Sequence, residues 1–382
     1  MNYKLRLRIN VLYDFFICIL IFLYMMEATS WPFFNNSVIH DGFQLLAIAV
    51  VTIYIVVRKY TPKELFRIIV LNAVGFICFL SSGLSGLFMT MMAITLLPKN
   101  SLNQVLKMIF MEEVMIFCAI VLGSQVGLLS NSVVEVNKHT YIATARTLGF
   151  SHPNMLAAQA TSIVLLFLCV NRNQLKRRYL AGAYLLIILI YFFAQGRTAL
   201  LLGMTTVTLI ALQKKKWINK MALTALPCVY IFVIVALVIC MAMHSKNGET
   251  VTAKIINDVL FNGRIGLAYI SLLVYPITLF GKSIDTSIWN QYQYYALDNG
   301  QVMVLLEYGV AGFFCYFWII QKALNQIKKE KEFVFAIVII VFLIWSMYEG
   351  TMYFIGKNFA LLFLGTIEFR ENSDMKKEVK TI

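Results

Sequence analysis

The chain has 382 residues, 60% of them hydrophobic and 14% charged, with a mean hydropathy of +0.76. Soluble domains sit nearer half apolar and a quarter charged, so this composition belongs to an integral membrane protein. The formal charge of +14 is a topology signal and not a nucleic-acid one, because the basic residues are parcelled out between apolar segments.

Met1–Asn10 is basic and leads into an apolar run at 11–26 with no small-residue cleavage site after it, so this run is read as a first span and not as a cleavable leader. Further apolar runs follow at 43–57, 68–82, 86–98, 108–129, 154–170, 179–195, 198–212, 221–243, 301–320, 333–347 and 357–367. Recurring runs of this kind are what helices need to cross a bilayer. Barrel strands would instead alternate apolar and polar residues over ~10 positions. The expectation is an all-α, polytopic membrane protein with about twelve transmembrane helices.

With the N-terminus inside, the cytoplasmic segments hold 25 of the 33 Lys and Arg. The positive-inside rule then places both termini in the cytoplasm. Eight basic residues remain outside: Lys138, Arg146, Arg197, Lys246, Lys254, Arg264, Lys282 and Lys357. The seven cysteines fall inside expected spans, and the four histidines are scattered, so neither a disulfide framework nor a metal site is indicated. Glu112 and Glu113 lie toward the cytoplasmic end of the fifth run and are expected to be an interfacial, solvated pair.

No hydrophilic stretch is large enough to fold alone, so a single membrane domain over 1–382 is expected. Within it, residues 244–300 form a large outer loop carrying four basic and four acidic side chains. Ile255–Phe280 mixes apolar residues with Asp258, Arg264 and Tyr269, and reads as one or two interfacial helices. Trp289, Tyr292, Tyr294 and Tyr295 crowd the segment that follows, suiting either a headgroup belt or a sugar-stacking surface.

Three outer arginines have distinctive surroundings: Arg146 before Leu148-Gly149-Phe150-Ser151-His152-Pro153-Asn154, Arg197 in Gln195-Gly196-Arg197-Thr198, and Arg264 in Asn262-Gly263-Arg264. Arg197 joins two apolar runs with almost no loop, and an ionisable group near membrane depth calls for an anionic partner. Guanidinium groups bind phosphate by paired hydrogen bonds and stay charged in low dielectric, so a lipid-linked phosphate or pyrophosphate is indicated. Snorkelling of Arg197, or pairing with Glu349, is the plainer alternative. Asp298-Asn299 precedes an apolar run and suits either helix capping or general-base chemistry on a sugar hydroxyl. Glu349 is a second carboxylate for that role.

These motifs, in their order along the chain, resemble those of Wzy-type polysaccharide polymerases, relatives of the O-antigen ligases. Leu148 to Asn154 is similar to the family's Gly-aromatic-x-His-Pro-Asn segment, and Gln195 to Thr198 to its Ser-Arg-Thr or Ser-Arg-Gly turn. Asn262-Gly263-Arg264 with Leu279-Phe280-Gly281 is similar to its Gly-Arg … Leu-Phe-Gly pattern. Leu297-Asp298-Asn299 … Leu306-Glu307-Tyr308-Gly309 resembles its Asp-Asn or His-Asn motif leading into a span with a Gly exit, and Tyr348-Glu349 … Asn358 its final Glu … Asn. Two departures stand out: Gly196 where Ser is common, and Asp298 where the ligases carry His.

The resemblance implies a glycosyltransferase of the bacterial plasma membrane. It would polymerise undecaprenyl-pyrophosphate-linked oligosaccharide repeat units on the outer face, for capsule, exopolysaccharide or O-antigen, without a metal or other cofactor. Flippase and chain-length regulator proteins are its implied partners, besides membrane lipids. In this reading Arg197 and Arg264 clamp pyrophosphate and Asp298 orients or deprotonates the acceptor hydroxyl. Asn299, His152, Asn154, Arg146, Glu349 and Tyr308 complete the substrate-binding set. A lipid-linked oligosaccharide flippase or transporter, and an O-antigen ligase-type transferase, are the alternatives.

Overall fold

A helix satisfies all of its backbone polar groups internally, which is why apolar segments of this chain become helices rather than open strands. The computed structural model describes residues 3–31, 33–34, 37–98, 101–137, 142–247, 250–285 and 297–366. In chain order the helices are α1 (Tyr3–Glu27), α2 (Ser37–Val57), α3 (Pro62–Ser82), α4 (Gly86–Thr95), α5 (Leu102–Gln125), α6 (Pro153–Val170), α7 (Arg177–Ala194) and α8 (Arg197–Ala211). They continue with α9 (Lys216–Asn247), α10 (Val251–Lys254), α11 (Arg264–Val274), α12 (Gly300–Glu307), α13 (Gly309–Glu330) and α14 (Phe333–Trp345). An antiparallel hairpin, β1 (Val133–Asn137) with β2 (Ile142–Arg146), pairs Val133 with Arg146 and Asn137 with Ile142.

The protein is thus helical and of membrane type, with six helices long and apolar enough to cross a bilayer among the described residues: Ile9–Glu27, Val38–Val57, Pro62–Ser82, Pro153–Val170, Arg177–Ala194 and Lys216–His244. Six of the twelve expected runs are not in that set: 108–129 lies mostly in the 24-residue α5, 198–212 and 333–347 give shorter apolar helices of 15 and 13 residues, and the other three take other forms. The run at 86–98 gives a helix of 10 residues, about 15 Å long and half a hydrocarbon core. The run at 301–320 is broken into α12 and α13 at Tyr308. The run at 357–367 is a 3₁₀ helix over Phe359–Thr366. Glu113, expected to be solvated, is 1% exposed.

The chain packs as two compact units. One takes Met1–Thr61, Leu96–Ile218 and Ile355–Ile382; the other takes Pro62–Thr95 and Asn219–Phe354. In the first, α1 lies against α2 and α5, α5 against α6, and α6 against both α7 and α8. The chain after the hairpin is tied to the end of α1, where Ser151 N donates to Ala28 O at 2.9 Å and Ser30 N to Gly149 O at 3.0 Å. In the second, α3 packs on α4 and α13, and α12 on α11, α13 and the 3₁₀ turn Gly350–Tyr353.

The break between α12 and α13 is held by a segment far upstream. Val310 N donates to Thr278 O at 3.0 Å and Ala311 N to Leu279 O at 2.9 Å, so loop carbonyls satisfy the first amides of α13. Gly281 (φ +85°) lies so close to the Glu307 carbonyl that a Cβ there would overlap it. The two motifs Leu279-Phe280-Gly281 and Leu306-Glu307-Tyr308-Gly309 therefore meet backbone to backbone.

Candidate functional site

Arg264 is placed by a tight turn. Asn262 (φ 50°) and Gly263 (φ 82°) are consecutive left-handed residues, a conformation that Asn tolerates and Gly adopts freely. Asn257 brackets the turn: its carbonyl accepts from Gly263 N at 2.7 Å and its Oδ1 from Gly266 N at 2.8 Å. Helix α11 starts at Arg264, whose guanidinium stands 3.0 Å from the Asp298 carboxylate. The two side chains are only 12% and 23% exposed, and Arg264 Nε is buried with no hydrogen-bond partner among the described residues. Two residues far apart in the chain, Arg264 and Asp298, are thus joined by an ion pair.

Asp298 and Asn299 are engaged differently. Asn299 is the cap of α12, with Oδ1 accepting from Val302 N at 3.1 Å. Its Nδ2 donates to Met347 O at 3.2 Å, and the residue is 1% exposed. That side chain is committed to the fold, and Asp298 is the member turned to the arginine. Gly300 N donates to Ser346 O at 2.7 Å, and Gln301 Nε2 to Ser346 Oγ at 2.7 Å, so the turn after α14 is stitched to the start of α12. Glu349 is buried in that turn, and Gly350 lies beside the Leu297 carbonyl. Tyr308 is buried at the other end of α12, about 12 Å along an eight-residue helix, and does not join this group.

The other unit collects a second group around the start of α6. His152 caps α6 through Nδ1, which accepts from Asn154 N at 3.1 Å and fixes that nitrogen as the acceptor. Pro153 follows at the first helical position, where its missing N–H has no partner to lose. Arg197 is the exposed first residue of α8. The preceding Gly196 presses on α6, where a Cβ would come within 2.6 Å of Ala157 Cβ. This accounts for glycine at this position. Arg146 is exposed at the end of β2 and Asn154 in the first turn of α6.

Lys357 belongs with this group, although the sequence reading counts it only as an outer basic residue. It is 5% exposed, its Nζ lies 3.0 Å from Met155 Sδ, and its carbonyl accepts from Ser162 Oγ at 2.7 Å. The signal for it is a lysine inside an otherwise apolar stretch, Phe354-Ile355-Gly356-Lys357-Asn358-Phe359. Trp289, Tyr292, Tyr294, Tyr295 and Lys138 lie outside the described residues. No family model, curated protein or solved structure matches the chain.

Proposed function

We propose that this chain is a membrane glycosyltransferase that polymerises undecaprenyl-pyrophosphate-linked oligosaccharide repeat units on the outer face of a bacterial plasma membrane. The observation that carries the reading is the Arg264–Asp298 pair. A guanidinium held in a mostly buried position, with the Asp298 carboxylate as its counter-charge among the described residues, suits exchange of that carboxylate for a diphosphate. The resemblance of the motifs around it to polysaccharide polymerases supports the same chemistry.

In the proposed reaction an acceptor sugar hydroxyl attacks the anomeric carbon of the growing glycan. The new glycosidic C–O bond forms as the bond to pyrophosphate breaks. The electron pair leaves with the pyrophosphate, whose growing charge Arg264 stabilises, and the hydroxyl proton passes to Asp298 once that carboxylate has been released. Electrostatic stabilisation of a leaving group by one preorganised donor is worth on the order of 10²–10³ in rate. Arg197, Arg146, His152 and Asn154, all in the other unit, are a second, separate substrate-binding group in this reading, and Glu349 is the alternative proton acceptor.

The test is glycan length in the native host. Arg264→Lys and Arg197→Lys are expressed at the wild-type level and the glycan is resolved on a gel. Single repeat units accumulating on the outer leaflet support the polymerase. Units trapped on the inner leaflet favour a flippase, and wild-type ladders from both variants overturn the arginine assignment.

A further inference from the structure

Tyr348 stands where the two halves of the Arg264 site are joined. Its ring is stacked on Phe261, with centroids 4.8 Å apart and planes 11° from parallel. Phe261 is buried and lies three residues before Arg264, and Arg264 N donates to its carbonyl at 3.1 Å. On the other side, Met347, the residue before Tyr348, accepts from Asn299, the residue after Asp298. The phenol is therefore fixed between the arginine turn and the Asp298-Asn299 turn, and lies within electrostatic reach of the Arg264 guanidinium.

A tyrosine held this firmly normally spends its hydroxyl on a partner. The Tyr348 hydroxyl makes no hydrogen bond among the described residues, and the residue is only part-buried. Burial pushes the phenol up from its ordinary range, with the Arg264 charge acting in the opposite sense. The group is thus a neutral O–H donor at physiological pH, suited to an anionic oxygen beside a guanidinium.

We propose that Tyr348 is a ligand-binding residue whose hydroxyl donates to a pyrophosphate oxygen held by Arg264. This rests on the reading of Arg264 as a diphosphate site, and the experiment separates the two. The purified full-length protein in detergent is titrated with undecaprenyl pyrophosphate and, separately, with inorganic pyrophosphate, using wild type, Tyr348→Phe and Arg264→Lys. Phenylalanine keeps the stack on Phe261, so Tyr348→Phe should unfold at the wild-type temperature. It should also bind both ligands about tenfold more weakly, as loss of a hydrogen bond to a charged group implies.

Tyr348→Phe binding both ligands as wild type does, while Arg264→Lys is weakened, would overturn the role of Tyr348 and leave the diphosphate site standing. A loss confined to undecaprenyl pyrophosphate would shift the contact to the isoprenoid and overturn the assignment to phosphate. Wild-type protein that binds neither ligand would remove the diphosphate site itself, and this inference with it.

Discussion

Asp298 and a pyrophosphate compete for one partner, the Arg264 guanidinium, which the carboxylate holds at 3.0 Å. Removing the carboxylate's charge while keeping its shape should therefore tighten diphosphate binding, because the ligand no longer displaces an anion. The same change removes the proposed proton acceptor, and loss of general-base catalysis lowers rate by on the order of 10²–10⁴. Asp298→Asn is accordingly expected to bind undecaprenyl pyrophosphate more tightly and to turn over more slowly. Equilibrium binding and single-turnover kinetics on one preparation would show both. Weaker binding would sink the counter-ion role, and an unchanged rate would move the proton acceptor to Glu349. Asn299 allows no such test, since it holds the cap of α12 and the Met347 carbonyl at once, and its loss would unfold the site along with any function.

At the level of elements, close backbone packing decides where the site residues stand. Gly196 meets Ala157 at a distance no Cβ tolerates, so Gly196→Ala should destabilise the protein by about 1–3 kcal/mol, as overpacking does elsewhere. In an Ala157→Gly background the same change should cost far less, since the atom it meets is gone. Thermal unfolding of the four proteins in detergent measures the cycle, and an equal loss in both backgrounds would mean that the α6 contact does not govern the turn. This contact is invisible to a reading of local pattern, as is the α12–α13 break. The apolar pattern predicts one span over 301–320; the chain breaks there at Gly309, whose φ of +71° no right-handed helix contains, and the Thr278 and Leu279 carbonyls take up the freed amides of Val310 and Ala311. Short-range devices are legible in sequence. The Asn262-Gly263 turn before Arg264, the His152-Pro153-Asn154 start of α6 and the cap ahead of Gly300 are all visible as residue types at fixed offsets.

For the whole molecule, the distribution of basic charge argues that the polar segment carrying Arg264 and Asp298 faces away from the cytoplasm. Helix α9 makes this testable, because its 32 residues extend about 48 Å, well beyond a hydrocarbon core of about 30 Å. Its ends therefore must emerge on opposite sides if it crosses directly. Lys214, just before it, sits in the basic stretch expected inside, and Lys246, near its end, begins the segment expected outside. All seven native cysteines are free thiols in the structure, and Cys118 and Cys228 are exposed, so the experiment needs them changed to serine first. Lys246→Cys should then react with an impermeant maleimide in intact cells, and Lys214→Cys only after the membrane is opened. Labelling of both positions from the same side would overturn the span count. A Lys246→Cys that reacts only after the membrane is opened would place the Arg264–Asp298 pair in the wrong compartment for a lipid-linked glycan already delivered to the outer leaflet, and the polymerase reading would then fall whatever the arginine variants show.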